Sequence, residues 1–386
     1  MKTFFKKFAG LLKKEIMLSV SLAVVIVSFF ITPPSKAILR DIDWKTLATL
    51  FMLLTVLEGF KSEDIFSPVL RQTSRLSSIF SISCFLVFSV FLSSMFVTND
   101  VSLIIFVPLT MMIFKAGDKE KYLIPVLTFE NIAAIRGSLL TPFGSPQNLF
   151  LYSQSGISTP SFIKMMLPLW LFSALLLLLF IAFLYRRNIR EKISIKTESF
   201  SQNQKPENRP KQIFYIILFV LVIATIVTRT KLWPFAAAIV LVSVLFFDPR
   251  ILLKTDYVLL FTFLCFFTFS SSICRNDFIS GILRKNVAGR EYVWSILLSQ
   301  VISNVPASIV LWPFSKNLRA LLYGLDSAGL CSIIGSLASV INLRIYSKEY
   351  PENSFKFILW FTVISLAFFA VVVFPQLWIL SLGLKP

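Results

Sequence analysis

Apolar residues run along this chain in long blocks rather than in alternation or on one helical face. Ile16 to Ile31, Leu167 to Leu184, Ile213 to Val227 and Phe357 to Val373 are nearly free of charge, and they read as helical crossings of ~30 Å of hydrocarbon at ~1.5 Å per residue. Further crossings are predicted near Trp44 to Phe60, Pro234 to Phe247 and Tyr257 to Ser272, and the last of the charge-free runs extends to a span from Phe355 to Leu380. The runs are apolar on every face, which excludes a β-barrel. Lys61 to Arg75 and Arg275 to Arg290 mix charge with large apolar residues and suit helices lying in the membrane interface.

The polar interruptions are more informative. Thr98-Asn99-Asp100 divides Ile79 to Phe114 into arms of about 19 and 14 residues, and this predicts a re-entrant hairpin whose polar tip stops near the midplane. Tyr122 to Ser153 is broken at Thr141-Pro142-Phe143-Gly144-Ser145-Pro146, where two prolines and a glycine unwind a helix. In the second half Ser303-Asn304 divides Trp294 to Phe314, with Pro306 just past the tip, and a small-residue-rich span follows from Ser327 to Tyr346.

These features repeat in order. Asp43-Trp44 answers Asp256-Tyr257 and Asp64 answers Asp277 at an offset of 213; Thr98-Asn99 answers Ser303-Asn304 at 205; Asn148 to Ser153 answers Asn342 to Ser347 at 194. The chain crosses five times between equivalent points, and an odd number inverts the second copy. The expected fold is an all-α polytopic membrane protein of two inverted repeats, each with a re-entrant helical hairpin and a broken transmembrane helix, about nine full spans plus two hairpins. The first repeat takes residues 1–185, a Ser-, Gln-, Asn- and Lys-rich cytoplasmic linker 186–211, a linking span 212–230, and the second repeat 231–386.

Composition agrees: 56% of the 386 residues are hydrophobic, with a mean hydropathy of +0.78. The net charge of +18 sits in short connections, as topology signals do, and gives no reason to expect nucleic acid. Lys2, Lys6, Lys7, Lys13 and Lys14 precede the first span, and eight Lys or Arg lie between Arg186 and Lys211, so both segments are expected in the cytoplasm and the C terminus outside a cytoplasmic (inner) membrane. Pro33-Pro34 closes the first span without a cleavage pattern, which reads as a retained helix. The four cysteines lack metal-ligand spacing, histidine is absent, and there is no phosphate-binding glycine loop. Neither an enzyme nor a cofactor is expected.

The Thr98-Asn99-Asp100 tip, the Leu139-Leu140-Thr141-Pro142-Phe143-Gly144-Ser145-Pro146-Gln147-Asn148-Leu149 run and Ser303-Asn304-Val305-Pro306 resemble the ion transporter superfamily, within it the arsenite permease, citrate transporter and sodium/proton antiporter group. The resemblance covers most of the chain outside the linker. It implies a secondary transporter that moves a small anion by alternating access, coupled to H+ or Na+, with metalloid efflux and Na+/H+ antiport as rivals. The implied partners are a small anionic substrate, the lipid bilayer, a second copy in a homodimer and, for metalloid efflux, a separate ATPase. Two departures stand out. Dicarboxylate symporters of this superfamily carry Ser-Asn-Thr at both tips, where this chain has Asp100 and Val305, and the group's usual Gly-Asn-Pro-Gln-Asn is Gly144-Ser145-Pro146-Gln147-Asn148 here.

A hairpin tip presents unpaired backbone N–H groups and a dipole that favours an anion. Thr98, Asn99, Ser145, Gln147, Asn148, Ser303, Asn304, Ser339 and Asn342 are the expected substrate contacts. Thr98 and Asn99 are also helix caps on this reading. Asp100, Gly144 and Ser336 are candidates for ion coupling, although Asp100 equally fits a carboxylate satisfied by N-terminal amides. Arg136 lies ~20 Å of helix rise beyond Tyr122 and is either an anion counter-charge or a structural partner of Glu130 or Asp100.

Overall fold

A computed structural model describes residues 16–65, 76, 78–189, 191–193 and 208–382. Those residues are helical apart from short connections and one isolated bridge between Ser78 and Lys192. The first half runs α1 (Ile16–Ile31), α2 (Lys36–Asp41), α3 (Trp44–Ser62), α4 (Ile79–Val97), α5 (Asn99–Ala116), α6 (Leu123–Gly137), α7 (Pro146–Ser155) and α8 (Thr159–Leu184). A linking helix follows, α9 (Arg209–Thr228). The second half is α10 (Trp233–Phe247), α11 (Pro249–Lys254), α12 (Tyr257–Cys274), α13 (Asp277–Val287), α14 (Glu291–Ile302), α15 (Asn304–Leu311), α16 (Leu318–Cys331), α17 (Leu337–Glu349) and α18 (Ser354–Ser381).

Local chemistry sets the boundaries. Asp43 and Asp256 cap α3 and α12 by accepting from the amides of Thr46 and Leu259, and the two caps share nearly the same backbone angles, φ −78°, ψ 80° and φ −75°, ψ 81°. Ser145 accepts from Asn148 N–H with Pro146 at the first helical position, so α7 starts where the amide missing from proline costs nothing. Asn317 caps α16 in the same way through Ala320.

The helix ends sort into two faces of the molecule. At one face the Ser83 hydroxyl meets the Tyr185 hydroxyl at 2.7 Å, Ile79 N–H donates to Glu191 O at 3.0 Å, and Lys119 reaches the Glu191 carboxylate at 2.7 Å. Both feet of the first hairpin therefore stand at the C-terminal end of α8. The 26-residue α8 spans ~39 Å. At its other end the Tyr152 hydroxyl meets Thr159 at 2.7 Å, and Arg229 donates to Tyr152 O at 2.6 Å. The second hairpin stands on that opposite face. Lys316 N–H closes its feet on the Glu291 carboxylate at 2.9 Å, and Tyr292 donates to Gln376 near the end of α18 at 2.6 Å. Meanwhile α17 and the start of α18 return to the first face, where Lys115 pairs with Glu349 at 2.8 Å and Tyr350 donates to Glu120 at 2.7 Å. The two hairpins thus enter from opposite ends, which is the inverted arrangement expected from the repeat.

The halves exchange partners across the centre. Helix α5 of the first hairpin packs on α17 of the second half, and α15 packs on α7 of the first; α1 packs on α12, and α10 on α3. Large apolar side chains such as Leu171, Phe183, Ile217, Phe235, Phe246 and Phe374 remain exposed on the outer helices, as a lipid-facing surface requires.

Several boundaries differ from expectation. Among the described residues seven helices are long and apolar enough to cross a membrane, the two arms of the first hairpin among them, and α1 and α10 form shorter apolar helices. The second arm, α5, has 18 residues, because Lys115 sits at the aqueous end and adds its last turn. The second broken helix begins at Leu318, since Arg319 and Asp326 are buried within it rather than preceding it. The first part of the linker is docked: Ser78 donates to Ile189 O at 2.8 Å. The interfacial stretch at 66–75 lies outside the described residues, whereas α13 presents Phe278 and Ile282 outward as an interfacial helix would.

Candidate functional site

The two hairpin tips are built alike. Thr98 (φ 71°, ψ 156°) and Ser303 (φ 67°, ψ 162°) hold a backbone region that is nearly glycine-only. The next residue in each case donates its backbone N–H to a carbonyl in its own half's helix break: Asn99 to Gly144 O and Asn304 to Gly335 O, both at 3.2 Å. Each of those glycines folds back on the break in turn, Gly144 N–H to Thr141 O at 3.3 Å and Gly335 N–H to Ser332 O at 3.2 Å. Neither glycine has room for a side chain, because a Cβ would stand 2.2 Å from Ser138 O and 2.0 Å from Ala328 O.

The expected capping by Thr98 and Ser303 does not occur through their side chains. Instead Asn99 Oδ1 accepts from Asp100 N–H at 3.0 Å, and Asn304 Nδ2 donates to Leu325 O at 3.5 Å. Asp100 Oδ1 has no partner, so backbone amides do not satisfy it.

The break of the first half adds a second layer. Asn148 Nδ2 donates to Ser138 O at 3.3 Å, and Gln147 Nε2 reaches Asp326 Oδ1 at 3.4 Å, joining α7 to α16. The amide oxygens of Gln147 and Asn148 have no partner. Thr98, Asn99, Gly144, Ser145, Gln147, Asn148, Ser303 and Asn304 are all associated with this central region through the tip and break contacts. Ser339 and Asn342 are not. They lie on α17 against α6, where Ser339 accepts from Asn131 Nδ2 at 3.0 Å and Asn342 donates to Leu127 O at 2.8 Å. Ser336 starts α17 without a side-chain cap.

Arg136 pairs with neither Glu130 nor Asp100. It is 0% exposed, its Nε donates to Ser173 Oγ on α8 at 3.0 Å, and Nη1 and Nη2 have no partner. The charge that acts on it is Asp326 of the second half, also 0% exposed and with Oδ2 unpartnered. The two interact across a gap without forming a contact ion pair. Their positions correspond: the carbonyls of Ser138 and Ala328 each lie against their own break glycine, and Arg136 and Asp326 stand two residues before them. Arg136 is thus answered by Asp326, not by Leu330, because the break shifts the repeat offset to 190. Asp326 was missed as a site residue. Its signal is a carboxylate following the apolar Leu321-Leu322-Tyr323-Gly324-Leu325 stretch, which the charge-free pattern alone places outside the helix.

A buried guanidinium with two free nitrogens offers donors to a small anion, while the free amide oxygens of Gln147 and Asn148 offer acceptors to a hydroxyl or a cation. The cluster offers no set of three or more Cys, Asp or Glu for a metal ion among the described residues.

The chain is similar to known transporters over most of its length. Residues 10–330 match the citrate transporter family. An uncharacterized transporter, MJ0456, of Methanocaldococcus jannaschii is 31% identical over 342 residues, covering 88% of this chain and 91% of its own. The inner membrane protein YbiR of Escherichia coli is 31% identical over 329 residues, covering 82% and 84%. The crystal structure of the Alcanivorax borkumensis YdaH transporter aligns with a TM-score of 0.49 and 13% identity over 94% of this chain and 88% of that one.

Proposed function

The chain belongs to the citrate transporter family, and from that premise we propose that it is a secondary active transporter of a small carboxylate or inorganic oxyanion, driven by H+ or Na+ through alternating access. The observation that carries the reading is the pair of opposed tips, each pinned through an asparagine amide to a helix break, with Arg136 buried at the end of α6 just before the first break and its two terminal nitrogens free. The fork matches the two oxygens of a carboxylate or oxyanion, and removing Arg136 from water costs several kcal/mol or more unless an anion compensates. Asp326 offsets part of that cost but touches neither terminal nitrogen, and a buried fork with free donors favours anion transport over Na+/H+ antiport, which needs no such cation.

The membrane is the cytoplasmic one on this reading, in keeping with the name of the Escherichia coli relative. The face bearing the docked linker and its basic residues is cytoplasmic, so the first hairpin opens inward and the second outward. Proteoliposome flux tests the reading. Uptake of labelled citrate or sulfate against a gradient supports it. Antimonite extrusion without anion uptake, or a pH-jump dye response to Na+ alone, replaces it with metalloid efflux or antiport.

A further inference from the structure

Three acids lie deep in the helical core, and they differ in what compensates them. Asp326 faces Arg136 and is reached by Gln147. Asp100 is only half-buried at its tip. Glu130, on α6, is 0% exposed; its Oε1 accepts from the Thr110 hydroxyl on α5, and Oε2 has no partner.

We propose that Glu130 is the proton-binding group that couples transport to proton movement, a role resting on the transport reading above. The charged side chains on elements packed against α6 are Asp100 and Lys115 on α5, Glu120 and Lys121 on the turn before α6, Lys164 on α8, Arg319 and Asp326 on α16, Arg344, Lys348 and Glu349 on α17, and Lys356 on α18; α6 itself adds Arg136. None of them acts on Glu130, whose surroundings are apolar packing and the Thr110 hydroxyl. A carboxylate sealed in that way without a cation costs several kcal/mol or more, so the packed state holds Glu130 as the neutral acid.

The neighbouring residue strengthens the case. Asn131 and Asn342 each direct an amide N–H elsewhere, to Ser339 and to Leu127 O, and both keep an unpartnered amide oxygen. The unpartnered atoms of Glu130, Asn131 and Asn342 are all acceptors, and an ionised carboxylate would add to them.

Position connects the proton to transport. Thr110 is on the second arm of the first hairpin and Glu130 on the broken helix to which the tip is pinned at Gly144. Movement of the hairpin against α6 opens the Thr110 contact and admits water. The carboxyl then releases its proton to that side, and the carboxylate takes one from water at the other side before the contact reforms. Glu130 has Ala320 as its counterpart in the repeat at the offset of Arg136 and Asp326, so only one half carries the group.

Two independent measurements test this on the full chain in lipid. The infrared spectrum near neutral pH should show a protonated carboxylic C=O stretch that disappears in Glu130→Gln and shifts in Thr110→Val, where the hydrogen-bond partner is lost. An unchanged band in both variants overturns the proposal, and the Thr110→Val arm decides it if Glu130→Gln does not fold. In proteoliposomes Glu130→Gln should keep exchange of labelled citrate between preloaded and external pools but lose accumulation driven by a pH gradient. Accumulation equal to the wild type overturns the coupling role. If the wild type moves no citrate, the anion reading fails at that substrate while the infrared arm still decides whether Glu130 holds the proton.

Discussion

Neutralising both members of the Arg136–Asp326 pair should cost less than the two single neutralisations added together. The two charges are fully buried, face each other from equivalent positions in the two halves, and do not touch. Beyond the ~4 Å of a contact pair and at an effective dielectric of ~20, their attraction is below ~4 kcal/mol. Removing one partner of a buried pair leaves the other uncompensated, and such losses run to about 3–5 kcal/mol. Arg136→Gln and Asp326→Asn should each lower unfolding free energy by about 3 kcal/mol, whereas the double variant should recover about 2 kcal/mol of the combined loss. Denaturant titration of the purified protein in mixed micelles, followed by tryptophan fluorescence, measures the cycle. Losses that add to within about 0.5 kcal/mol would refute the pairing.

The same pair separates structure from transport. If Arg136 also holds the anion, Asp326 competes with it, so Asp326→Asn should tighten citrate binding by about tenfold, for a change of ~1.4 kcal/mol. Arg136→Gln, alone or in the double variant, should abolish binding even where stability is restored. Equal citrate affinity in all the variants would leave Arg136 a purely structural residue.

Thr98→Gly should relieve the strained tip and raise thermal stability by about 1 kcal/mol, because glycine adopts its backbone angles freely; a lower melting temperature contradicts the strain. Gly144→Ala and Gly335→Ala place a methyl group against the carbonyls of Ser138 and Ala328 and should cost about 1–3 kcal/mol with loss of flux, while Gly281→Ala, which meets nothing, should be neutral or stabilising in the same thermal assay. On the linker face, the Lys119 hydrogen bond holds the Glu191 carboxyl below the usual carboxylate range despite opposing desolvation. That tether is fully present above the ordinary carboxylate pKa and is lost as pH falls through the lowered one, so the protection of the Ile79 amide, which donates to Glu191 O, relative to its intrinsic exchange rate should fall in acid; Glu191→Gln should show the lower protection at neutral pH.

Which parts of this architecture could be read from the chain follows from the range of each signal. Prolines, glycines and polar pairs within apolar runs act locally, and the breaks at 141–146 and the tips at Thr98 and Ser303 form where those residues stand. Charge-free length is a poorer guide. It put the start of the second broken helix after Asp326, since a buried Arg319 and Asp326 look like a loop when their partners are unknown. One error was avoidable: Glu130 and Arg136 are six residues apart, which puts them on different sides of a helix, so their pairing was already unfavourable.

The repeat itself obscured the charge pair. Matching Asn148 with Asn342 requires an offset of 194, which sets Leu330 opposite Arg136 and makes the arginine look solitary. The backbone contacts at the breaks require 191 at the glycines and 190 just before them, which sets Asp326 there. Positions related by an approximate twofold axis meet when they lie near it, so equivalent residues of opposite charge become neighbours without any local sequence signal. The tips are alike in the two halves, while the charges beside them are opposite. A symmetric frame can alternate between two access states, and an asymmetric pair at its centre makes its two halves chemically distinct.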